Sequence, residues 1–312
     1  MFLSEDEVRS LLRMDELIDA MRGALRDLSA GKVEQPMRLV LPVAEHKGFF
    51  AVMPAYGGAL GAKLVTFYPN NKSVHTYHAM ILLFRPETGE PLVTMDGRLI
   101  TEMRTAAVSA VATDALARAD ASVLAILGSG VQARSHLDAL RIVRGLREVR
   151  VWSPRNSGEF CRQHDVSAAA SAEEAVRGAD VIVVATAATT PVLMGEWLSP
   201  GVHINAVGAT RPTWRELDDE ALRKARIYVE SREAAMKESG DIIAAGQIFA
   251  EIGEVVAGSK SGRESDEEIT LFKSVGVAVE DIVAADLVYR NAECRMTNDE
   301  GERNERRTSN GE

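Results

Sequence analysis

The chain has 312 residues, of which 46% are hydrophobic and 26% are charged, and its formal net charge is −10. This composition is typical of a globular protein of one or two domains. The acidic balance argues against nucleic acid as a partner, because phosphate backbones are bound by clustered Lys and Arg. A membrane partner is not expected either, because no apolar run reaches the ~20 residues that a membrane span needs.

The N-terminus and the cysteines indicate a cytoplasmic protein. Residues 1–21 lack the basic start and the long apolar block of a signal peptide. Cys161 and Cys294 stand in unrelated contexts, and neither belongs to a cluster with metal-ligand spacing. We therefore expect two reduced cysteines and no metal site.

The first third of the chain predicts a helical start followed by an antiparallel sheet. Apolar residues at helical spacing predict a helix over 3–30, and Ser4 with Glu7 forms a capping box at its start. Residues 37–96 contain five short β-like runs separated by Pro, Gly and Asn. The Ala-rich segment 101–117 then predicts a long helix.

From residue 122 onward the sequence alternates between strands and helices. The short apolar runs VLAIL, EVRVW, DVIVVAT, HINAVG and RIYVE are separated by helical or turn segments, which is typical of a parallel sheet covered on both faces. Residues 272–292 predict a final helix. Residues 293–312 are rich in charge, and we expect them to be a disordered tail.

The stretch LAILGSGVQARSH, residues 124–136, has the pattern of a dinucleotide-binding turn between a strand and a helix. Gly128 would make the tight turn, Gly130 would let the backbone approach a pyrophosphate, and Ala133 would let the helix pack closely on the sheet. The diphosphate would lie on the free N–H groups of the helix N-terminus. The alternative is a plain strand–turn–helix packing motif.

The residues after the second strand favour NADPH, with NADH possible. An NAD site usually has Asp or Glu there to bind the ribose 2′-hydroxyl, whereas this chain has Ser153, Arg155 and Asn156 around Pro154. Arg155 could pair with a 2′-phosphate, while Ser153 and Asn156 could donate to it. Alternatively, Arg155 is a solvated loop cation and the site does not discriminate.

Three basic residues lie within apolar stretches of the first third of the chain: Arg38, Lys63 and Arg104. Each could be a surface residue whose stem packs on apolar neighbours. Together they could instead hold a small carboxylate. His78 lies beside another apolar run, where it is either an ordinary hydrogen-bonded histidine or part of a site.

Seven longer stretches carry a family resemblance: VMPAYGG, KLVTFYP, MDGRLITEMRTAAVSA, ILGSGVQA, GEWLSPGVHINAVGATRPTWRELDDE, EAAMKESGDI and FKSVGVAVEDIVAA. Over residues 2–292 the chain resembles the ornithine cyclodeaminase/mu-crystallin family. Within it the chain is most similar to the mu-crystallin branch of NADPH-dependent ketimine reductases, which also bind thyroid hormone.

The resemblance implies an α/β fold with two parts and a homodimer. A central Rossmann-type doubly wound parallel sheet over 113–285 would bind the cofactor. A discontinuous α+β domain for substrate binding and dimerisation would comprise residues 1–112, completed by about 286–292.

The resemblance also implies the site residues. Arg38, Lys63 and Arg104 match carboxylate-binding and catalytic positions, Arg104 also lies near the cofactor, and Glu238 matches an acidic residue at the ligand site. Besides Gly128, Gly130, Ala133 and the loop after the second strand, the implied cofactor contacts are His78, Ser129, Val131, Gln132, Thr186, Ala187, Val207 and Ser274.

Three positions depart from the family pattern. Thr210 stands where cyclodeaminases have an aspartate base, and a threonine hydroxyl cannot replace that base near neutral pH. In the loop after the second strand, the arginine that would bind the 2′-phosphate is displaced by one residue to Arg155, which weakens the argument for NADPH. Tyr77 replaces the serine of a Ser-His pair.

From the resemblance we expect a ketimine reductase that transfers hydride to the C=N bond of a cyclic imino acid carboxylate of the piperideine or pyrroline type. Arg38 and Arg104 would hold the carboxylate, Lys63 would protonate the nitrogen or serve as a third carboxylate ligand, and Glu238 would stabilise the iminium. The alternatives are an ornithine cyclodeaminase, an alanine dehydrogenase, an opine-type reductase, an NADPH-regulated thyroid-hormone-binding protein and a structural crystallin-like role.

Overall fold

The structure is a computed structural model that describes residues 1–155 and 157–309. It contains two β-sheets, one of six strands and one of eight. The helices, in chain order, are α1 (Glu5–Leu11), α2 (Met14–Ser29), α3 (Arg98–Leu116), α4 (Val131–Val143), α5 (Ser157–His164), α6 (Ala172–Val176), α7 (Asp219–Lys224), α8 (Arg232–Glu238), α9 (Gly240–Ala245), α10 (Ile252–Val256) and α11 (Ala278–Ser309).

The six-stranded sheet is formed by the first third of the chain. Its strands are β1 (Phe2–Leu3), β2 (Leu39–Val43), β3 (Gly48–Tyr56), β4 (Leu60–Phe67), β5 (Tyr77–Phe84) and β6 (Pro91–Asp96). The order is β1-β6-β5-β4-β3-β2, and every pair is antiparallel except β1 with β6. Helix α11 packs on β3, β4 and β5 and covers one face of this sheet.

The eight-stranded sheet is parallel throughout and confirms the expected Rossmann-type α/β class. Its strands are β7 (Val123–Leu127), β8 (Glu148–Trp152), β9 (Ser167–Ala168), β10 (Val181–Val184), β11 (His203–Ala206), β12 (Ala225–Val229), β13 (Ala250–Glu251) and β14 (Ile269–Lys273). The order is β13-β12-β14-β11-β10-β7-β8-β9. Because the chain leaves β7 toward β8 on one side and later returns to β10 on the other, a crevice opens at the carboxyl ends of β7 and β10.

Helix α3 connects the two sheets and is buried on nearly all sides. Residues 104–113 are all buried, which agrees with an apolar, Ala-rich helix that faces a core in every direction. Its polar side chains bond to the second sheet region: Thr113 Oγ1 accepts from Asn205 Nδ2 at 2.8 Å, and Ser109 Oγ lies 2.9 Å from His136 Nε2. The domain boundary expected at residue 112 therefore falls inside a helix.

Two predicted helices differ from the structure. The helix predicted over 3–30 is divided into α1 and α2 by extended backbone at Leu12 and Arg13. The apolar pattern contains the reason, because the step from Leu12 to Leu17 would put these residues on different faces of one continuous helix. The capping box of Ser4 and Glu7 is confirmed.

The other error lies at the end of the chain. The helix predicted over 272–292 begins only at Ala278, because the preceding residues form β14 between β11 and β12. The β-branched Ile269 and Thr270 suit that buried strand.

Helix α11 continues to Ser309, whereas residues 293–312 were expected to lack order. The sequence of 293–309 contains no proline to end the helix. Residues 310–312 lie outside the described part of the chain.

The turn after β7 yields a stability prediction. Gly128 has φ +127°, and a Cβ added there would collide with the carbonyl oxygen of Ala185, whereas a Cβ on Gly130 meets no atom within 4 Å. We expect Gly128→Ala to lower the free energy of unfolding by about 1–3 kcal/mol, because it combines backbone strain with a clash. Gly130→Ala is the matched control and should unfold like the wild type. Equal unfolding midpoints for both variants in urea would contradict the strain at Gly128.

Candidate active site

A cavity of about 430 Å³ lies between the six-stranded sheet and the carboxyl ends of the eight-stranded sheet. Several residues singled out from the sequence line it together: Arg38, Lys63, Arg104, Gln132, Val207, Ser274 and Glu238. Thr210 and Tyr77, two of the departures from the family pattern, also line it. The cavity therefore joins the basic residues of the first third of the chain to the turn expected to bind a cofactor.

The floor of the cavity is a buried cluster of paired charges. Lys63 Nζ lies 2.5 Å from Asp281 Oδ2, and Arg104 Nε donates to Asp281 Oδ1 at 2.9 Å. Arg104 Nη1 donates to Glu280 Oε2 at 2.8 Å. All four side chains are at most 6% exposed. Charges buried this deeply must be paired, so removal of one partner would be strongly destabilising.

Burial and neighbouring charges shift the pKa values of this cluster. Burial raises the pKa of Glu280 to about 8, and Glu230 adds to the rise while Arg104 opposes it. Burial also acts to raise the pKa of Asp281, but Arg104 and Lys63 outweigh it and lower that pKa below its usual value. Asp281 is therefore the ionised partner that Lys63 and Arg104 share.

The loop of residues 274–277 forms one wall of the cavity and is held by Glu230. This buried carboxylate accepts from Ser274 Oγ at 2.5 Å and from the backbone N–H groups of Val275 and Gly276 at 2.9 and 3.2 Å. Gly276 has φ +74°, and a Cβ there would lie 2.8 Å from the Arg104 guanidinium. The loop can approach Arg104 this closely only because residue 276 is glycine.

Arg38 and Glu238 form an ion pair at the rim of the cavity. Arg38 Nη2 lies 2.8 Å from Glu238 Oε2 and donates to the carbonyl oxygens of Val275 and Gly276 at 3.0 and 2.5 Å. No residue in the described ranges accepts a hydrogen bond from Nε or Nη1 of Arg38. Burial raises the pKa of Glu238, while Arg38 opposes the rise. Arg38 thus retains donors for an anion.

The turn at 128–133 has the form that a dinucleotide requires. Gly128 N donates to Trp152 O at 2.8 Å, and Gly130 precedes α4 without a side-chain cap. The first N–H groups of α4 are therefore not bound by a capping side chain. Ala133 is fully buried, which permits close packing of α4. Gln132 Oε1 is buried and has no hydrogen-bond partner within the described chain, as expected where a ligand would donate to it.

A second loop, which is predicted to contact the cofactor, follows β10 and is held by a buried carboxylate. Thr186 donates through both its N–H and its hydroxyl to Glu216 Oε1, at 2.8 and 2.7 Å. Burial raises the pKa of Glu216 to about 7, against the influence of Lys273. Ala187 follows in an exposed position. Thr186 and Ala187 therefore stand at the crevice beside the glycine turn.

Other predicted cofactor residues lie outside the cavity. Within the glycine turn, Ser129 is half-buried and Val131 is exposed. Ser153 is half-buried and Arg155 exposed, and both follow β8 next to the turn. Asn156 lies outside the described residues, so its predicted contact stays a prediction.

The structure does not bring His78 to the cavity. It is exposed and points to the opposite face of the sheet from Tyr77, its neighbour on β5, because side chains alternate along a strand. Its ring lies edge-on to that of His75, with centroids 6.0 Å apart.

The sequence reasoning missed the acidic half of the site. Glu230, Glu280 and Asp281 are fully buried, yet none was identified. The only signal was the acidic pair inside the apolar run VAVEDIVAA. It also missed Arg211, whose guanidinium lies 5.0, 5.9 and 5.1 Å from the ring centroids of Phe49, Phe67 and Trp214 at the cavity.

Within residues 1–155 and 157–309, no helix combines the length and the apolar character that crossing a membrane requires.

Comparisons with known proteins agree with this arrangement. The model of the ornithine cyclodeaminase/mu-crystallin family matches residues 1–295. The ketimine reductase mu-crystallin of Mus musculus is 52% identical over 302 residues, which cover 92% of this chain and 96% of that protein.

Two solved structures superpose over nearly the whole chain. The first is Thermococcus litoralis Delta(1)-pyrroline-2-carboxylate reductase in complex with NADH and L-proline, with a TM-score of 0.90, 41% identity, and coverage of 95% of this chain and 98% of that chain. The second is an archaeal alanine dehydrogenase dimer with bound NAD, with a TM-score of 0.90, 40% identity, and coverage of 95% and 96%.

Proposed function

The chain belongs to the ornithine cyclodeaminase/mu-crystallin family, and from this premise we propose that it is an NAD(P)H-dependent ketimine reductase acting on small cyclic imino acids. The observation that carries the proposal is the convergence of Arg38, Lys63 and Arg104 on one cavity that also reaches the cofactor crevice. We further propose that the enzyme acts in the cytoplasm, where its two unpaired cysteines stay reduced.

The basic residues would bind the substrate carboxylate and activate the imine. Nε and Nη1 of Arg38 and Nη2 of Arg104 have no acceptor within the described chain and suit a substrate carboxylate. Lys63 lines the same cavity and would protonate the imine nitrogen or add a third contact to the carboxylate. Glu238 keeps Arg38 in place and would favour a positively charged iminium. The bound cofactor supplies the hydride.

Thr210 favours reduction over cyclodeamination. It lines the cavity where a base would have to act on an amino acid. A hydroxyl does not serve as a base near neutral pH, whereas reduction of an imine needs no such base. Alanine dehydrogenase remains the second candidate, because an archaeal enzyme of that activity has the same fold at 40% identity.

We propose that the same cavity accepts aromatic amino acids such as thyroid hormone. The rings of Phe49, Phe67 and Trp214 with Arg211 provide an aromatic wall beside the carboxylate-binding arginines. A hormone bound there would compete with the imino acid.

We propose a homodimer formed through the uncovered face of the six-stranded sheet. Helix α11 covers the opposite face. On the uncovered face Leu39, Leu41, Tyr56 and Met80 are between 45% and 63% exposed. An apolar sheet face of this extent is typical of an interaction surface, and an archaeal relative is known as a dimer. His78 lies on this face.

The function is tested by measuring NADPH oxidation with piperideine- and pyrroline-2-carboxylate and with pyruvate plus ammonia, and by measuring ammonia release from ornithine in the presence of NADP⁺. We expect turnover of the cyclic ketimines and its inhibition by thyroid hormone. Arg38→Gln should lower kcat/KM about 10- to 150-fold, because a charge-assisted hydrogen bond contributes about 1.5–3 kcal/mol. Arg85→Gln, an exposed arginine after β5, is the control. Turnover of pyruvate and ammonia alone would favour alanine dehydrogenase.

The cofactor preference is tested at Arg155. We expect Arg155→Ala to weaken NADPH binding about tenfold or more and to leave NADH binding nearly unchanged, because only NADPH carries the 2′-phosphate. Fluorescence titration with both cofactors measures this. Arg141→Ala, an exposed arginine in the last turn of α4, should change neither affinity. Equal losses for NADPH and NADH would contradict the preference.

The dimer is tested by placing a charge on the uncovered sheet face. We expect Met80→Glu to give particles with the mass of one chain in light scattering, because burial of an unpaired carboxylate costs several kcal/mol. Ile142→Glu changes an equally exposed apolar residue on α4 and should keep the mass of two chains. A dimer that persists in Met80→Glu would place the interface elsewhere.

A further inference from the structure

We infer that Lys63 is the proton donor of the reaction and that the hydroxyl of Tyr77, acting through Thr101, resupplies its proton after each turnover. This inference rests on the proposed imine reduction and assigns the role of Lys63 that the binding argument leaves open. It also gives functions to Tyr77, Thr101 and Asp281.

Two side chains from different elements contact the amino group of Lys63, and a third is linked to it through one of them. Asp281 Oδ2 from α11 lies 2.5 Å from Nζ, and Thr101 Oγ1 from α3 lies 3.5 Å from it. The Tyr77 hydroxyl from β5 donates to Thr101 Oγ1 at 3.1 Å. Tyr77 is half-buried and lines the cavity, so a line of hydroxyls leads from the cavity wall to the buried amine.

Lys63 is the cation of the floor that can release a proton. The guanidinium of Arg104 stays protonated in proteins, and its neighbours Asp281 and Glu280 raise its pKa further. An ammonium group, unlike a guanidinium, can give up a proton in a protein. When Lys63 becomes neutral, Asp281 remains paired with Arg104 and keeps accepting from the remaining N–H groups of Lys63. Asp281 is therefore a positioning residue.

A resupply route is needed because Lys63 is only 2% exposed. Because Lys63 lines the cavity, an imino acid and a cofactor bound there would shield Nζ from bulk water. The Thr101 hydroxyl donates to Gly97 O at 2.8 Å in the resting arrangement. Rotation about its C–O bond would direct the same proton to a neutral Lys63, while Tyr77 already donates to the oxygen that would lose it.

Every proton used in the proposed catalytic cycle is accounted for. The imine nitrogen takes a proton from the Lys63 ammonium, and the imine carbon takes the hydride of NAD(P)H, which leaves a secondary amine, NAD(P)⁺ and neutral Lys63. Thr101 then gives its proton to Lys63 and receives one from Tyr77, whose oxygen receives a proton from water. Each turnover consumes one solvent proton.

The test is Tyr77→Phe, which removes the hydroxyl and keeps the ring. With a ketimine and NADPH we expect kcat to fall about tenfold or more and KM to fall with it, so that kcat/KM and the Kd of NADPH stay unchanged, because reprotonation follows hydride transfer. The solvent deuterium isotope effect on kcat should rise, and the isotope effect with deuterated NADPH should fall, because reprotonation becomes rate-limiting. Tyr68→Phe is the control, since the Tyr68 hydroxyl has no hydrogen bond within the described chain.

A second variant separates relay from packing. Thr101→Val should lower kcat like Tyr77→Phe, and the double variant should be no slower than either alone, because both interrupt one route. An unchanged kcat in Tyr77→Phe, a raised KM with unchanged kcat, an unchanged solvent isotope effect or additive losses would overturn the inference. A wild-type protein that reduces no ketimine would instead contradict the proposed function.

Discussion

The site depends on one carboxylate, that of Asp281. It binds Lys63 from β4 and Arg104 from α3, two residues far apart in the chain. Each cation would carry a large desolvation cost in isolation, and Asp281 is the counter-ion that both share. The positions of the six-stranded sheet, the connecting helix and the C-terminal helix are therefore coupled at the floor of the cavity. The proposed chemistry would use the same contacts that hold these three elements together.

Much of the fold follows from local sequence. The run before Gly128, the small residue at 133 and the alternation of strands and helices are short-range patterns, and they predict the parallel sheet and its crevice. Arg38, Lys63 and Arg104 drew attention as basic residues within apolar stretches, but their roles, and Glu238 itself, followed only from the family resemblance. Judged by residue type alone, each of them could be an ordinary charged residue at the surface. Asp281 was missed because its role depends on Lys63 and Arg104, which come from elements distant in the chain.

The errors arise where tertiary context overrides a local pattern. The sequence pattern of residues 272–277 is compatible with a longer α11. In the structure, however, Phe272 and Lys273 belong to β14, which pairs between β11 and β12. His78 follows a residue that does line the cavity, but one step along a strand reverses the direction of a side chain. The acidic Glu280 resembles a solvated helix residue until its burial is known. None of these outcomes can be predicted from a local window of ten residues.

Helix α3 determines how the protein can adapt to its ligands. Its alanines are buried in the core between the two sheets, Ser109 bonds to His136 of α4, and Thr113 bonds to Asn205 of β11. A clamshell motion of the two halves would have to open a close-packed seam along this helix. The distance between cofactor crevice and carboxylate niche is consequently set by the backbone. For the proposed imino acid substrates, discrimination among ring sizes would then fall to side chains of the cavity lining such as Arg211 and Trp214.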